Sequence, residues 1–323
     1  MDRYPMDKFP TIVLRPDVVA KHEEHLATLA GEINKYTKIG HRGESLYDWI
    51  LRVFENLGLS TIKTQYLDSL AITKTRLLLF TVLIDDPVDN VSKRNFKLFE
   101  ELIKIPFDTD HINISNLDEK EREYLEFTKE VWLNIINEIR TYPSYKKYEA
   151  AFNFDIKQLL NSMEYSKFAN TYPNGVNTIE NDAYLHHSTF VLPQTDLDLM
   201  CSEGFDDNEL GSLRELSFVS GKMARIGNLI KTYPRELLEA DMSSEALVKF
   251  QKEYGNDFKF KINKLLNRES RYMKFEERLI EEYQEDYQMS KEIAKKIKSI
   301  DVERFMQERD FVQKAYEIKA DYW

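Results

Sequence analysis

This chain of 323 residues is poor in the residues that interrupt helices. It has only ten glycines and nine prolines, with no glycine between Gly58 and Gly175 and no proline after Pro234. Sheets joined by tight turns need such punctuation at short intervals, so long helices and an all-α fold are expected. A single cysteine, Cys201, excludes an internal disulfide and suits a reducing compartment. No apolar run approaches the roughly 18 residues of a membrane-spanning helix. The first residues, MDRYPMDKFPTIVLRPD, carry Asp2 and Asp7 and no apolar stretch of signal-peptide length. A cytoplasmic protein without a membrane span is expected. Cationic excess is also missing: the net charge of −11 argues against nucleic acid, whose affinity rests on Lys and Arg at phosphates.

What is present is a series of amphipathic and apolar helical stretches. The length allows either two domains or one large core; a single helical domain over 1–323 is expected, with residues 1–17 as an extended arm. The periodicity predicts helices over Val18–Lys35 and Ser45–Leu57, the latter with Leu46, Trp49, Ile50, Val53 and Phe54 on one face. Gly40 and Gly43 mark the loop between them. Further helices are expected over Leu117–Arg140 and Tyr145–Phe168, a turn at Thr171–Asn177, and charged amphipathic helices over 257–323, where Leu265, Leu266, Phe275, Leu279, Ile280, Ile297 and Phe305 recur. His22 and His25, in His-Glu-Glu-His, match no metalloprotease pattern and are expected on the surface.

The segment Ala71–Asp86 carries the first functional signal. From Leu77 to Ile84 only Thr81 is polar, so this helix belongs in the middle of a bundle. It ends in Asp85-Asp86-Pro87-Val88-Asp89. Burying those carboxylates would cost several kcal/mol unless they open onto a solvated cavity or a cation. Pro87 disfavours helix at Asp86 and removes a backbone donor, so the helix is expected to end or kink there.

A second polar station is Asn228-Leu229-Ile230-Lys231-Thr232-Tyr233-Pro234-Arg235-Glu236. At about 100° per residue, Asn228, Thr232 and Glu236 fall within ~80° of one another on a helix, so their oxygens can converge. Carboxylate, amide and hydroxyl oxygens are the hard donors that Mg²⁺ takes. Arg225, Lys231 and Arg235 lie beside this station, and guanidinium and ammonium groups bind phosphate oxygens. Mg²⁺ is commonly shared between a few carboxylates and substrate phosphates. The implied ligand is a diphosphate, and an acidic protein can bind one because the metal inverts the local charge.

DDPVD and NLIKTYPRE resemble the paired metal-binding motifs of class I terpene synthases, DDxxD and (N/D)Dxx(S/T)xxxE, in the same order. The stretch DLMCSEGFDDNELGSLRELSFVSGKMARIGNLIKTYPRELLEADMSS is similar to bacterial ent-kaurene synthases and related class I diterpene synthases. The resemblance implies an α-helical bundle around an apolar cavity. It further implies that Asp85, Asp89, Asn228, Thr232 and Glu236 ligate Mg²⁺, with three ions and Mn²⁺ as a possible substitute. Asp85, Asp86 and Asp89 would act in ionising an isoprenyl diphosphate, either geranylgeranyl diphosphate or a copalyl-type diphosphate supplied by a partner class II diterpene cyclase. A monomer or homodimer is expected.

The same resemblance makes Arg235 the preferred diphosphate contact and places Phe190, before Pro193, where related synthases break the helix that faces the substrate. It gives the N-terminal arm the part of a lid. An arginine that senses the diphosphate in many of these enzymes has no counterpart in Tyr184-Leu185-His186-His187-Ser188-Thr189, where His186 is the substitute expected. Leu229 departs from the motif at a position that is not usually a ligand, whereas Pro234 is expected to bend the helix and shift Glu236. Asp196-Leu197-Asp198-Leu199 lacks the final acids of a class II cyclase. Two alternatives stay open: a prenyl chain-elongating transferase, which would need a second DDxxD that this chain lacks, and a non-catalytic isoprenoid-binding protein with decayed motifs.

Overall fold

The structure is a computed structural model, and it describes residues 16–40, 42–89, 94–239, 242–255 and 270–307. Among the described residues there are helices and no strands. Long helices come first: α1 (Pro16–Ile39), α2 (Glu44–Asn56) and α3 (Leu67–Asp89). A short α4 (Phe96–Leu102) follows, capped by the Asn95 side chain, which accepts from the Leu98 amide. Helix α5 (Glu119–Ile139) begins with a reciprocal capping box between Asp118 and Glu121. Next come α6 (Tyr145–Thr171), α7 (Thr178–Tyr184), a 3₁₀ run over Leu185–Thr189, and α8 (Val191–Met200). Helices α9 (Leu210–Glu239), α10 (Glu245–Tyr254) and α11 (Ser270–Ala294) complete the series.

Helix α3 is the centre of the bundle, as its composition requires. Leu77, Leu79, Phe80, Leu83 and Ile84 are all buried in the main core, packed by α2, α5 and α6. At ~1.5–3 kcal/mol for each fully buried large apolar side chain, this helix is a principal source of stability. Its opposite end is pinned by a buried ion pair: Lys74 Nζ lies 2.5 Å from Asp198 on α8 and also donates to the Leu57 carbonyl at 3.0 Å. The Leu59 amide donates to the same carboxylate at 3.3 Å, so the charge is both paired and hydrogen-bonded.

Three expectations need correction here. Helix α1 starts at Pro16, inside the expected arm, and runs on to Ile39; the rest of that arm, 1–15, lies outside the described residues. Helix α3 neither ends nor visibly breaks at Asp86 but continues to Asp89 with Pro87 inside it. The reason is local: proline leaves the Leu83 carbonyl without an amide partner, and the Tyr124 hydroxyl of α5 donates to it at 2.8 Å. His22 and His25 are buried, only 2% and 7% exposed. Each takes one oxygen of the buried Glu55 carboxylate, at 2.9 and 2.7 Å, and His22 also reaches Asp48 at 2.9 Å, so the histidine pair fastens α1 to α2.

Position 234 does not interrupt α9. Residues on either side of it, Ile226, Leu229, Tyr233 and Leu237, pack with Leu247, Phe250 and Leu279 in a separate apolar cluster formed with α10 and α11. That packing holds the helix on course where a lone proline would tilt it. In the last third of the chain, Leu279, Ile297 and Phe305 are buried as their spacing implied, whereas Leu265 and Leu266 fall outside the described residues and so does the side chain of Phe275.

Candidate active site

A cavity of about 260 Å³ lies between α2, α3, α6, α8 and α9. Its apolar wall is the face of α2 read from the sequence: Leu46, Trp49, Ile50, Val53 and Phe54 all line it. Helix α3 adds Leu78, Thr81, Val82 and Asp85, one stripe at helical spacing. Helix α9 brings Arg225, Asn228 and Glu236 to the same cavity. Asp85, Asn228 and Glu236, far apart in the chain, thus share one space.

The acidic end is held by contacts that no motif announces. Asp86 is 4% exposed and accepts from the buried Tyr36 hydroxyl at 2.7 Å. Asp85, beside the cavity, is only half-buried and accepts from Arg42 Nη2 at 2.9 Å, while Arg42 Nε reaches Asp86 at 3.4 Å. Burial and the Asp86 charge together push the Tyr36 hydroxyl far above its ordinary range, so it stays a donor. Gly40 makes the loop possible, because a Cβ there would stand 2.1 Å from the Tyr36 ring. The helix is extended to Asp89, but that side chain lies outside the described residues.

On α9, Thr232 Oγ1 donates to Glu236 Oε1 at 2.5 Å, and Ser244, the residue that caps α10, donates to Oε2 at 2.6 Å. Thr232 and Glu236 therefore meet across position 234, contrary to the displacement expected from Pro234. Thr232 lies well inside α9, its hydroxyl 3.1 Å from the Asn228 carbonyl. Arg225 sits one turn earlier, its Nε on Glu245 at 3.1 Å and its Nη1 on Ser188 at 3.3 Å. Burial raises the Glu245 carboxyl, but Arg225 and Lys249 outweigh it and hold the group ionised below its usual range. The side chains of Lys231 and Arg235 lie outside the described residues, and so does Lys93.

Asn170, at the end of α6, links the two stations. Its Oδ1 accepts from Arg94 Nη2 at 2.6 Å, just after α3, and from the Met242 amide at 2.9 Å, just after α9. Its place in the chain gave no sign of this.

The helical path breaks at Phe190, which lies between the 3₁₀ run and α8. Its φ of 45° and ψ of 25° are left-handed, the only positive φ at a non-glycine among the described residues. Such a backbone costs of order 1 kcal/mol at a non-glycine. The ring lines the cavity and meets Phe54 edge-to-face at 6.1 Å. Gly221 on α9 admits the 3₁₀ run, since a Cβ there would lie 3.1 Å from Thr189 Oγ1.

His186 is not on this cavity. It lines a second, charged basin of about 650 Å³ between α7, α9, α10 and α11, which also reaches Arg225. Burial, and secondarily the neighbouring His187, push its pKa down to about 4, and its Nε2 is buried without a hydrogen-bond partner among the described residues. The imidazole is therefore neutral and faces the second basin, away from the cavity that Asp85 and Asn228 line. Asp196 and Asp198 also line neither cavity; burial, then the Asp155 charge, raises the Asp196 carboxyl well above its usual range.

The donors at the cavity are carboxylate, amide and hydroxyl oxygens, the chemistry that suits Mg²⁺. Among the described residues no group of three or more His, Cys, Asp or Glu is disposed to hold a metal alone. A divalent ion at Asp85, or at Asn228 and Glu236, would complete its shell with further oxygens, from water or from a ligand such as a diphosphate. Among the described residues no helix is long and apolar enough to cross a membrane.

No family model matches the chain, and no curated protein matches it in sequence. In structure it is similar to the crystal structure of a linalool/nerolidol synthase from Streptomyces clavuligerus, with a TM-score of 0.57 and 12% sequence identity over 97% of this chain and 99% of that one. The likeness extends over nearly the whole chain, whose fold is the all-α class I terpene synthase fold.

Proposed function

We propose that this protein is a class I diterpene synthase that ionises an isoprenyl diphosphate and cyclises or rearranges the resulting carbocation. The observation that carries the reading is a single cavity lined both by Asp85, Asn228 and Glu236 and by Trp49, Phe54 and Phe190. Hard oxygens and an aromatic lining serve opposite halves of one substrate: an anionic head and an apolar chain.

Asp85, Asp89, Asn228, Thr232 and Glu236 would hold Mg²⁺, which when bound supplies the positive charge that lets diphosphate leave. Thr232 and Ser244 fix the Glu236 carboxylate by donating to both of its oxygens. Asp86 acts through position, its buried carboxylate held by the Tyr36 hydroxyl. Arg225 stands where a guanidinium can take a phosphate oxygen. Trp49, Phe54 and Phe190 present π faces, which stabilise a carbocation without reacting with it, and the apolar lining keeps out the water that would quench it. No protein nucleophile or general acid is required.

The diterpene reading, with geranylgeranyl or copalyl diphosphate as substrate, draws on the similarity of residues 196–244 to ent-kaurene synthases. One observation favours a second reading, a shorter geranyl or farnesyl substrate: about 260 Å³ lies just below the roughly 300–1,000 Å³ of common small-molecule pockets. Incubation of the purified protein with Mg²⁺ and each of the four diphosphates, followed by gas chromatography of the extract, decides between them. A hydrocarbon or alcohol from geranylgeranyl or copalyl diphosphate supports the proposal. Turnover of the shorter substrates alone supports the second reading, and release of diphosphate from none defeats both.

A further inference from the structure

Arg42 belongs to no motif, yet it is the side chain that covers the aspartates. It projects from the short loop between α1 and α2, with one guanidinium nitrogen 2.9 Å from Asp85 and another 3.4 Å from Asp86. Its backbone is anchored separately: the Arg42 amide donates to the Tyr36 hydroxyl at 3.1 Å, and that hydroxyl donates to Asp86. The head can therefore move while the loop stays. Asp86 is sealed, whereas Asp85 and the Arg42 side chain remain about one-third exposed, at 32% and 29%, and both line the cavity.

We propose that Arg42 is a diphosphate-binding residue, held by Asp85 and Asp86 in the ligand-free protein and transferred to the phosphate oxygens when a divalent cation takes Asp85. This rests on the reading of the cavity as a diphosphate site. The physical reason is charge: a carboxylate that gains a divalent ion repels a neighbouring guanidinium, and the diphosphate beside it attracts one. A guanidinium fork meets phosphate oxygens bidentately. Among the described residues, neither Arg225 nor His186 fills this place. Arg225 lines the cavity from α9 but is tied to Glu245 and Ser188, and His186 is neutral and faces the second basin. Arg42 supplies a cation at Asp85, on the end of α3, and so stands in for the arginine that Tyr184–Thr189 lacks.

Calorimetric titration tests this without turnover, using MgCl₂ alone and then inorganic pyrophosphate at saturating Mg²⁺, on the full chain and on Arg42→Gln, Arg42→Lys and Asp85→Asn. Arg42→Gln should weaken pyrophosphate by about tenfold, the worth of one charge-assisted contact, and should strengthen the binding of Mg²⁺ alone by removing its competitor. Arg42→Lys, which keeps the charge but not the fork, should recover part of the pyrophosphate affinity. If Arg42→Gln proves unfolded by circular dichroism, Arg42→Lys carries the test, with a loss of about threefold expected. Wild-type pyrophosphate affinity in the folded Arg42 variants, with loss in Asp85→Asn, overturns the role of Arg42 and leaves the site standing. Wild-type affinity in Asp85→Asn as well overturns the site itself.

Discussion

The Tyr124 hydroxyl donates to the Leu83 carbonyl at 2.8 Å, taking the place of the amide that Pro87 cannot provide. This bond lets α3 continue through its own proline and carry Asp85 and Asp86 to the cavity without a break. Removing the hydroxyl leaves a buried acceptor unpaired, at a cost of ~1–3 kcal/mol. Tyr124→Phe should therefore lower the free energy of unfolding, read from urea titration, by that amount. In a Pro87→Ala background, where residue 87 regains its amide, the same change should cost less than half as much. Equal costs in the two backgrounds would show that the bond has no connection with the proline.

The two stations should fail together under substitution, though by different amounts. Asp85→Asn or Asn228→Ala should reduce kcat/KM by more than about a hundredfold with helicity by circular dichroism unchanged. Ser244→Ala removes the donor that orients Glu236 together with the cap of α10, and should cost about tenfold in activity, the usual effect of a group that positions a ligand. Near-normal activity of either of the first two variants would rule out the assignment.

Phe190 combines backbone strain with an aromatic wall, and the two can be separated. Phe190→Ala keeps the left-handed backbone strained and loses the ring, whereas Phe190→Gly loses the ring and relieves the strain, so the glycine variant should be the more stable by ~1 kcal/mol. Both should raise the share of water-quenched alcohols more than they lower total turnover. An unchanged product profile would remove the ring from the substrate's path.

His186 should make the fold acid-sensitive. Its pKa is pushed down to about 4 by burial and by His187, while the unfolded chain takes the proton near pH 6.5. Between those values the unfolded state binds more protons, so the contribution is fully present above pH 6.5 and is lost as pH falls towards 4. Because the ring is only partly buried, the difference is about 1 kcal/mol. Urea unfolding at pH 7.5 and pH 5 should show a smaller acid loss in His186→Gln than in the wild type; identical losses would place the sensitivity elsewhere.

Much of this was legible in the chain because it depends on near neighbours. Helix α3 is readable from Leu77–Ile84, since an all-apolar helical run has to sit in a core, and carboxylates at its end have to meet water or a cation. The face of α2 is readable because Leu46, Trp49, Ile50, Val53 and Phe54 share one side at a spacing set by the helix itself. The meeting of Thr232 with Glu236, four residues apart, follows from the same geometry. Periodicity says which side of a helix is apolar, however, and not what stands opposite.

Only the tertiary structure decided those oppositions. Arg42 faces Asp85 because the loop after α1 folds over the end of α3, and Asn170 joins Arg94 to Met242 because α6 ends between them. His22 and His25 are buried because Glu55 lies opposite on α2, supplying the partners that make buried polar groups tolerable. His186 belongs to the second basin because Phe190 turns the chain after it, and the passage of α9 through position 234 depends on α10 and α11. Local sequence sets helices and their faces through backbone and side-chain preferences over a few residues. Partners contributed from elsewhere in the chain depend on how the helices pack, and that choice is made by the whole core at once.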